Sequence, residues 1–461
     1  MNAAAIALNR FGLGARPEDA VPAEPRGWLL SQFQRYAAVS PGWAAQQNAP
    51  ALLALYRERQ SAVDKAGADR RPMAIKALED AVRSVYVAAV AARVGVAMDT
   101  PAPFVERLVH FWANHFALSA DKARFVAILT GAFEAEAIRP HVLARFEDLL
   151  LAVVRHPAML AYLDQTRSIG PNSQLGERTA QGKPSQRRGL NENLAREIME
   201  LHTLGVRSGY TQADVTELAR ALTGWGTEGP PVNGAEKPMD EGDGFAFRLT
   251  QHEPGARKLL GKSYPEGGQA QAEAILKDLA AAPATARHIA TKLARHFVAD
   301  QPPPALVDRL TDTFLRSGGD LPAVYRALIA SPEAWGAEAR KFKTPWEWGV
   351  SSLRALNARE LGGPQLVSLM QQLGQPVWRP GSPAGYEDIA ANWAAPDALL
   401  RRVEVAQRFA AQADVGIDAR NLGPRVLPGA LSEATAQAVA GSESPASGLA
   451  LLLVSPEFLR R

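Results

Sequence analysis

The chain has no cysteine among its 461 residues. That excludes disulfide scaffolds and thiolate metal sites. An excess of one charge is also missing: 51 Lys and Arg stand against 48 Asp and Glu, a formal net charge of +3. So small an excess makes no strong field. Lys and Arg form no block longer than a pair, and no basic stripe interleaved with aromatics occurs, so nucleic acid is not an expected partner. Long apolar runs are scarce. The best, Val85 to Met98, contains Arg93 and falls short of the ~20 residues a span needs, so no membrane span is expected. The N-terminal apolar run Ala3–Leu8 is short, follows no basic residue and is broken by Asn9-Arg10. A secretory signal is therefore not recognised, and a cytoplasmic location is expected. Catalytic signatures are missing as well. There is no Gly-x-Ser-x-Gly elbow, no Walker A loop, no dinucleotide glycine motif after a strand and no His-Glu-x-x-His helix. No metal site and no particular cofactor are expected. What is left, at 47% hydrophobic residues, is too apolar for a disordered chain.

Helical periodicity dominates and strand alternation is scarce, which predicts a mainly α fold, a multi-helix domain with a small β-hairpin insertion. Helices are expected near Ala3–Arg10, Trp28–Tyr36, Pro72–Met98, Phe104–Phe116, Leu143–Arg155, Gly189–Leu204, Thr211–Leu222, Thr285–Ala299, Ala305–Arg316 and Leu321–Ser331. Gly205 is placed to end one helix, and Thr211 with Asp214 is placed to cap the next. Phe245–Leu249 reads as a strand, with Lys258–Gly261 as its expected partner. The chain divides into a helical part at 1–225, a loop and small β insertion at 226–282, and a second helical part at 283–461. Residues 327–333 echo 451–457: both end an apolar helix on Ser-Pro-Glu, because the residue before proline resists the helical conformation.

Two polar, Gly- and Pro-bearing stretches, Ile169–Arg188 and Gly226–Gly244, bracket the Gly189–Leu222 helix pair. Structureless stretches of that length are often lids or binding loops. They are expected to lack regular structure and to share one side of the molecule.

Some polar residues fall on apolar helix faces. On Phe104–Phe116, the residues Phe104, Val105, Leu108, Val109, Trp112 and Phe116 share a face, and His115 lies within it; Arg107, His110 and Asn114 group opposite. A histidine there is either bonded to a backbone carbonyl or turned to an internal cleft. On the following central helix, Glu197 and His202 fall among Leu194, Ala195, Ile198, Leu201 and Leu204. An unpaired buried carboxylate is costly, so Glu197 calls for a partner such as Arg139, Arg196, Arg220 or a histidine, or for a raised pKa.

Several segments carry a family resemblance. They include His110-Phe111-Trp112-Ala113-Asn114-His115-Phe116, Arg139-Pro140-His141 and His156-Pro157-Ala158-Met159-Leu160. The longest runs from Asn191-Glu192-Asn193-Leu194-Ala195-Arg196-Glu197 to His202-Thr203-Leu204-Gly205, and Ala219-Arg220-Ala221-Leu222-Thr223-Gly224-Trp225 follows. Together they resemble the bacterial domain of unknown function 1800 family over nearly the whole chain. Where that family often has His-Asp, this chain has His252-Glu253, so an acid is kept. The resemblance implies a companion of the domain of unknown function 1501 family, which looks like an alkaline-phosphatase relative.

Two functions follow as expectations. One is a hydrolase or lyase using a buried Glu/His acid–base pair, with Glu197, His202, His115 and His141 as candidate catalytic residues. Arg139, Asn191, Asn193, Trp225 and His252 are then candidate substrate-binding residues. The alternative is a non-catalytic helical partner of the phosphatase-like companion. The first reading requires open polar groups around a pocket; the second requires closed pairs.

Overall fold

The structure is a computed structural model describing residues 1–180, 189–228, 242–413 and 416–461, and of residues 239–240 the backbone. It is 63% helical and 4% strand, which makes the fold mainly α with a small β insertion. A contiguous apolar core runs from Ile6 to Phe458, so the first and last helices share one interior. Phe11, for example, stacks on Phe297 and on Trp335 at 5.6 and 5.3 Å between ring centroids.

The expected helices form, most within a few residues of their predicted ends. The Arg71–Asp99 helix is longer than its apolar run; by length and composition it could cross a membrane, with half of its apolar window buried in the protein. It packs on the helices Ala49–Lys65, Arg124–Phe133, Pro345–Leu356 and Gly363–Gln372, which makes it a core helix. Thr211 and Asp214 make the reciprocal cap: the Asp214 amide donates to Thr211 Oγ1 at 3.3 Å, and the Thr211 amide to Asp214 Oδ2 at 2.8 Å. Both Ser-Pro-Glu repeats stop their helices, at Ala330 and at Leu453.

Three corrections concern local structure. The strand β1 (Trp225–Thr227) pairs antiparallel with β3 (Phe245–Phe247), and β2 (Met239–Asp240) pairs with the other edge of β3. The expected partner of β3 instead forms its own hairpin, β4 (Arg257–Leu259) with β5 (Lys262–Tyr264). Leu260 and Gly261 at positive φ make a two-residue turn, which favours that local pairing over the distant one. Second, the two polar stretches are not without regular structure: Gln174–Ala180 is a helix, β1 takes up the start of the other, and β2 lies near its end. Their remaining parts, 181–188, 229–238 and 241, lie outside the described residues. Third, among the described residues three helices contain wider π turns, at Ile6–Phe11, Glu134–Ile138 and Ile198–His202. A wheel of 3.6 residues per turn fails across each of them.

Candidate functional site

The Pro103–His115 helix lies at the centre of the site. Its apolar face is closed, with Phe104, Val105, Leu108, Val109 and Trp112 at 0% exposure. Its opposite face turns to a partly open cavity. Arg107 and His110 are buried there, and with the half-buried Asn114 and with His115 they line this cavity of about 540 Å³. That volume lies within the usual range for small-molecule sites.

The Pro283–Phe297 helix supplies the facing wall. His288, Lys292, Arg295 and His296 recur at steps of three and four, so they fall on one stripe, and all four line the cavity. Ile289, Leu293 and Phe297 anchor the other side of this helix in the core. Trp346 and Glu347 come from the first turn of the Pro345–Leu356 helix, and Tyr386, Glu387 and Asp388 from the irregular segment 375–388. Asn114 clamps that segment. Its Nδ2 donates to the Tyr386 carbonyl at 2.8 Å, and its Oδ1 accepts from the Tyr386 amide at 2.7 Å. Gly385 between them has φ +82, and a Cβ there would stand 2.3 Å from the Asn114 carbonyl oxygen. Among the described residues the cavity wall is thus 375–388, and neither of the two polar stretches expected as a lid contributes to it.

His296 and Asp388 form a dyad. His296 Nδ1 lies 2.6 Å from Asp388 Oδ2, while Nε2 is buried without a hydrogen-bond partner. Burial outweighs the nearby carboxylate and pulls the imidazole below its ordinary value. The neutral ring therefore carries its proton on Nδ1 and a free lone pair on Nε2. Burial pushes Asp388 up, but His296, Lys341 and Arg461 more than offset it and keep it ionised. Lys341 Nζ reaches Asp388 Oδ1 at 3.2 Å, and Arg461 Nη2 reaches Glu347 Oε1 at 2.8 Å. Arg107 shares that Glu347 oxygen.

Lys292 has no hydrogen bond or ion pair among the described residues. Burial pulls its ammonium down to about 8, with Asp388 raising it and Arg295 lowering it. The same burial, with Lys292 and His288 adding repulsion, sets His202 at about 3. His115, His202 and His288 cluster beside it, with ring centroids 6.2 Å and 6.0 Å from His115. The turn after Ile198–His202 grips His288, whose Nε2 lies 3.0 Å from the Leu201 carbonyl oxygen. Gly205 there, at φ +91, leaves room for the ring.

Beneath the cavity lies a buried ionic network centred on Arg139, Glu106 and Glu134, each 0% exposed. Arg139 binds both Glu106 oxygens, one at 3.0 Å, and Glu134 at 3.2 Å. Arg93 reaches Glu134 at 2.8 Å and lies over the Trp346 ring. Trp346 Nε1 in turn donates to His110 Nδ1 at 3.1 Å, and His110 Nε2 stands 3.3 Å from Glu106 Oε1. Burial pushes Glu106 up, but Arg139 and His110 prevail and hold it at about 2.

The structure does not bring the four expected catalytic residues together. His115 lines the cavity; its Nε2 meets the His202 carbonyl oxygen at 3.1 Å, and Nδ1 is unpartnered. His202 is fully buried behind it, with both ring nitrogens unpartnered. Glu197 is only half-buried and stands in a separate groove with Asn193, Tyr162, Lys122 and Ser382. None of its expected partners reaches it: Arg139 binds Glu106 and Glu134, Arg196 binds Glu192, and Arg220 binds Glu217. Burial and Glu200 raise its pKa. His141 is half-buried elsewhere, its Nδ1 3.0 Å from the Ala137 carbonyl oxygen.

Among the candidate substrate-binding residues, Arg139 belongs to the ionic network and Asn193 to the Glu197 groove. Asn191 caps the chain locally, with Oδ1 accepting from the Asn193 amide at 2.9 Å. Trp225 is buried in β1, and His252 Nδ1 lies 2.9 Å from the Thr223 carbonyl oxygen. The acid beside it, Glu253, accepts from Asn172 Nδ2 at 2.6 Å and from the Asn172 amide at 2.8 Å. Sequence reasoning missed Lys292, His296 and Asp388. The signal for the first two was the four-residue spacing His288, Lys292, His296; Asp388 carried none, because only folding brings it across. Among the described residues no group of three or more His, Asp or Glu is placed to hold a metal ion.

Fold and site together define a helical protein with a partly open cavity that has a basic wall. Residues 6–460 match the family described as "Protein of unknown function (DUF1800)", and the chain belongs to it. No curated protein and no solved structure matches the chain.

Proposed function

We propose that the protein is an enzyme of hydrolase or lyase type, working by acid–base catalysis in the cavity, with His296 as the proton carrier and Asp388 as the residue that orients it. The observation that carries this reading is the 2.6 Å contact of His296 Nδ1 with Asp388, on a cavity wall, with Nε2 buried and without a hydrogen-bond partner. A carboxylate on one nitrogen fixes the tautomer and raises the basicity of the other. Unpartnered ring nitrogens on His115, which lines the cavity, and on His202 behind it also favour a site over a docking surface, which would close such groups in pairs.

The test is a broad screen of hydrolase and lyase substrates, followed by His296→Gln and Asp388→Asn. Loss of a general acid–base group lowers turnover by about 10²–10⁴-fold, and both variants are expected to fall in that range while staying folded by circular dichroism. An activity that survives His296→Gln at full rate would sink the reading.

A further inference from the structure

We propose that Lys292 is a nucleophile that forms an imine with a small carbonyl substrate bearing a carboxylate, such as a 2-oxo acid. The inference rests on the acid–base reading of the cavity and names the substrate class for it.

Three observations support the assignment. Lys292 is half-buried and lines the partly open cavity, and its amine is committed to no carboxylate, carbonyl or hydroxyl among the described residues. It sits one helical turn before His296, so attacking amine and proton carrier lie on one stripe of the Pro283–Phe297 helix. The stripe also carries His288 and Arg295. Arg295 is solvent-exposed where it lines the cavity, and among the described residues it makes only a carbonyl contact, Nε to the Asp300 oxygen at 3.2 Å. A guanidinium without a carboxylate partner, next to a free amine, suits an anionic group on the substrate.

Burial, helped by Arg295 and opposed by Asp388 and Glu387, holds Lys292 at about 8, so roughly a tenth is neutral amine at pH 7 and more above it, as imine formation requires. Lys343 provides the contrast. Its ammonium is pulled to about 7 by burial, yet it is 1% exposed, donates to Ser351 and does not line the cavity. A depressed pKa alone makes no site; Lys292 adds access.

The chemistry balances without an oxidant or reductant. The Lys292 lone pair adds to the carbonyl carbon. The nitrogen passes both its protons to the carbonyl oxygen, which leaves as water as the C=N bond forms. The imine then takes one proton from solvent. His296 Nε2 removes a proton from the neighbouring carbon; that C–H pair becomes a C=C bond, and the C=N pair moves onto nitrogen. Reprotonation and addition of water restore the carbonyl compound and the free amine.

The experiment traps the imine in the intact protein. Pyruvate with cyanoborohydride is expected to label the Lys292 peptide at least ~10-fold faster than any other lysine, as tuned, accessible amines do. Lys292→Met and Lys292→Arg should abolish that label, and the arginine variant keeps the charge so that folding is preserved. Acetaldehyde, which lacks the carboxylate, should label the site more slowly. Labelling spread over surface lysines, with Lys292 no faster, would overturn the proposal, and equal labelling by acetaldehyde would overturn its carboxylate part. The two readings fail separately. His296→Gln should still trap pyruvate, so trapping without His296-dependent turnover removes the acid–base reading alone. Turnover lost in His296→Gln with no adduct on Lys292 removes the imine alone.

Discussion

At Glu197 the missing partner decides the sign of a substitution. A carboxylate half-buried with no cation to hold it has its charged form disfavoured in the fold, as its raised pKa records. The cost is present above the folded pKa and disappears as pH falls through it. Glu197→Gln removes that charge without stranding another. Its melting temperature at pH 8 is therefore expected to equal or exceed that of the native protein, by no more than about 3 °C given the residue's partial exposure. A marked drop would mean that the carboxylate has a role in the fold that its surroundings do not reveal. Arg139 is the opposite case. It is 0% exposed and binds two carboxylates that are also fully buried. Arg139→Met leaves Glu106 and Glu134 without their shared cation, and a loss of about 3–5 kcal/mol is expected in denaturant titration. A variant as stable as the native protein would contradict the network.

At the scale of elements, two features set the site: the π turns and the 375–388 segment. The π turn at Ile198–His202 rotates His202 away from the position a regular helix would give it, and it presents the Leu201 and His202 carbonyl groups to His288 and His115. The 375–388 segment holds its place through Asn114 and through a backbone that turns at Gly385. Gly385→Ala adds a Cβ against a backbone oxygen in a left-handed conformation. That combination costs roughly 1–3 kcal/mol, and the segment should become more sensitive to limited proteolysis. Unchanged cleavage and unchanged stability would show that the clamp does not hold the wall.

At the scale of the whole molecule, the buried ions predict how stability responds to acid. The Glu106 carboxyl is held at about 2, below its ordinary 4.5. A depressed carboxyl contributes its stability above the unfolded value and loses it as pH falls towards the folded one. Stability should stay level from this source above about pH 5 and then fall by roughly 3 kcal/mol as the pH approaches 2. Urea midpoints at pH 6, 4 and 3 check this, and removal of Arg139 should flatten the decline.

The sequence by itself determined the helical class, most helix positions, the Thr211 cap and the Ser-Pro-Glu stops, because each depends on contacts within a few residues. It singled out His115 on the Phe104–Phe116 helix, since a histidine within an apolar arc is a local pattern, but it took the helix of Glu197 and His202 as the central one, whereas the cavity is built on Pro103–His115. It could not assign the opposite face. Arg107, His110 and Asn114 group there on a helical wheel, and only the packing of Pro283–Phe297, Pro345–Leu356 and 375–388 turns that face into a cavity wall. Glu197 was placed by a regular wheel, although its helix widens one residue later. Tertiary structure alone decided the pairing of His296 with Asp388, 92 residues apart, and the isolation of Lys292. No local spacing encodes either, because a chemical site depends on which side chains meet across the fold and which are left without a partner when it closes.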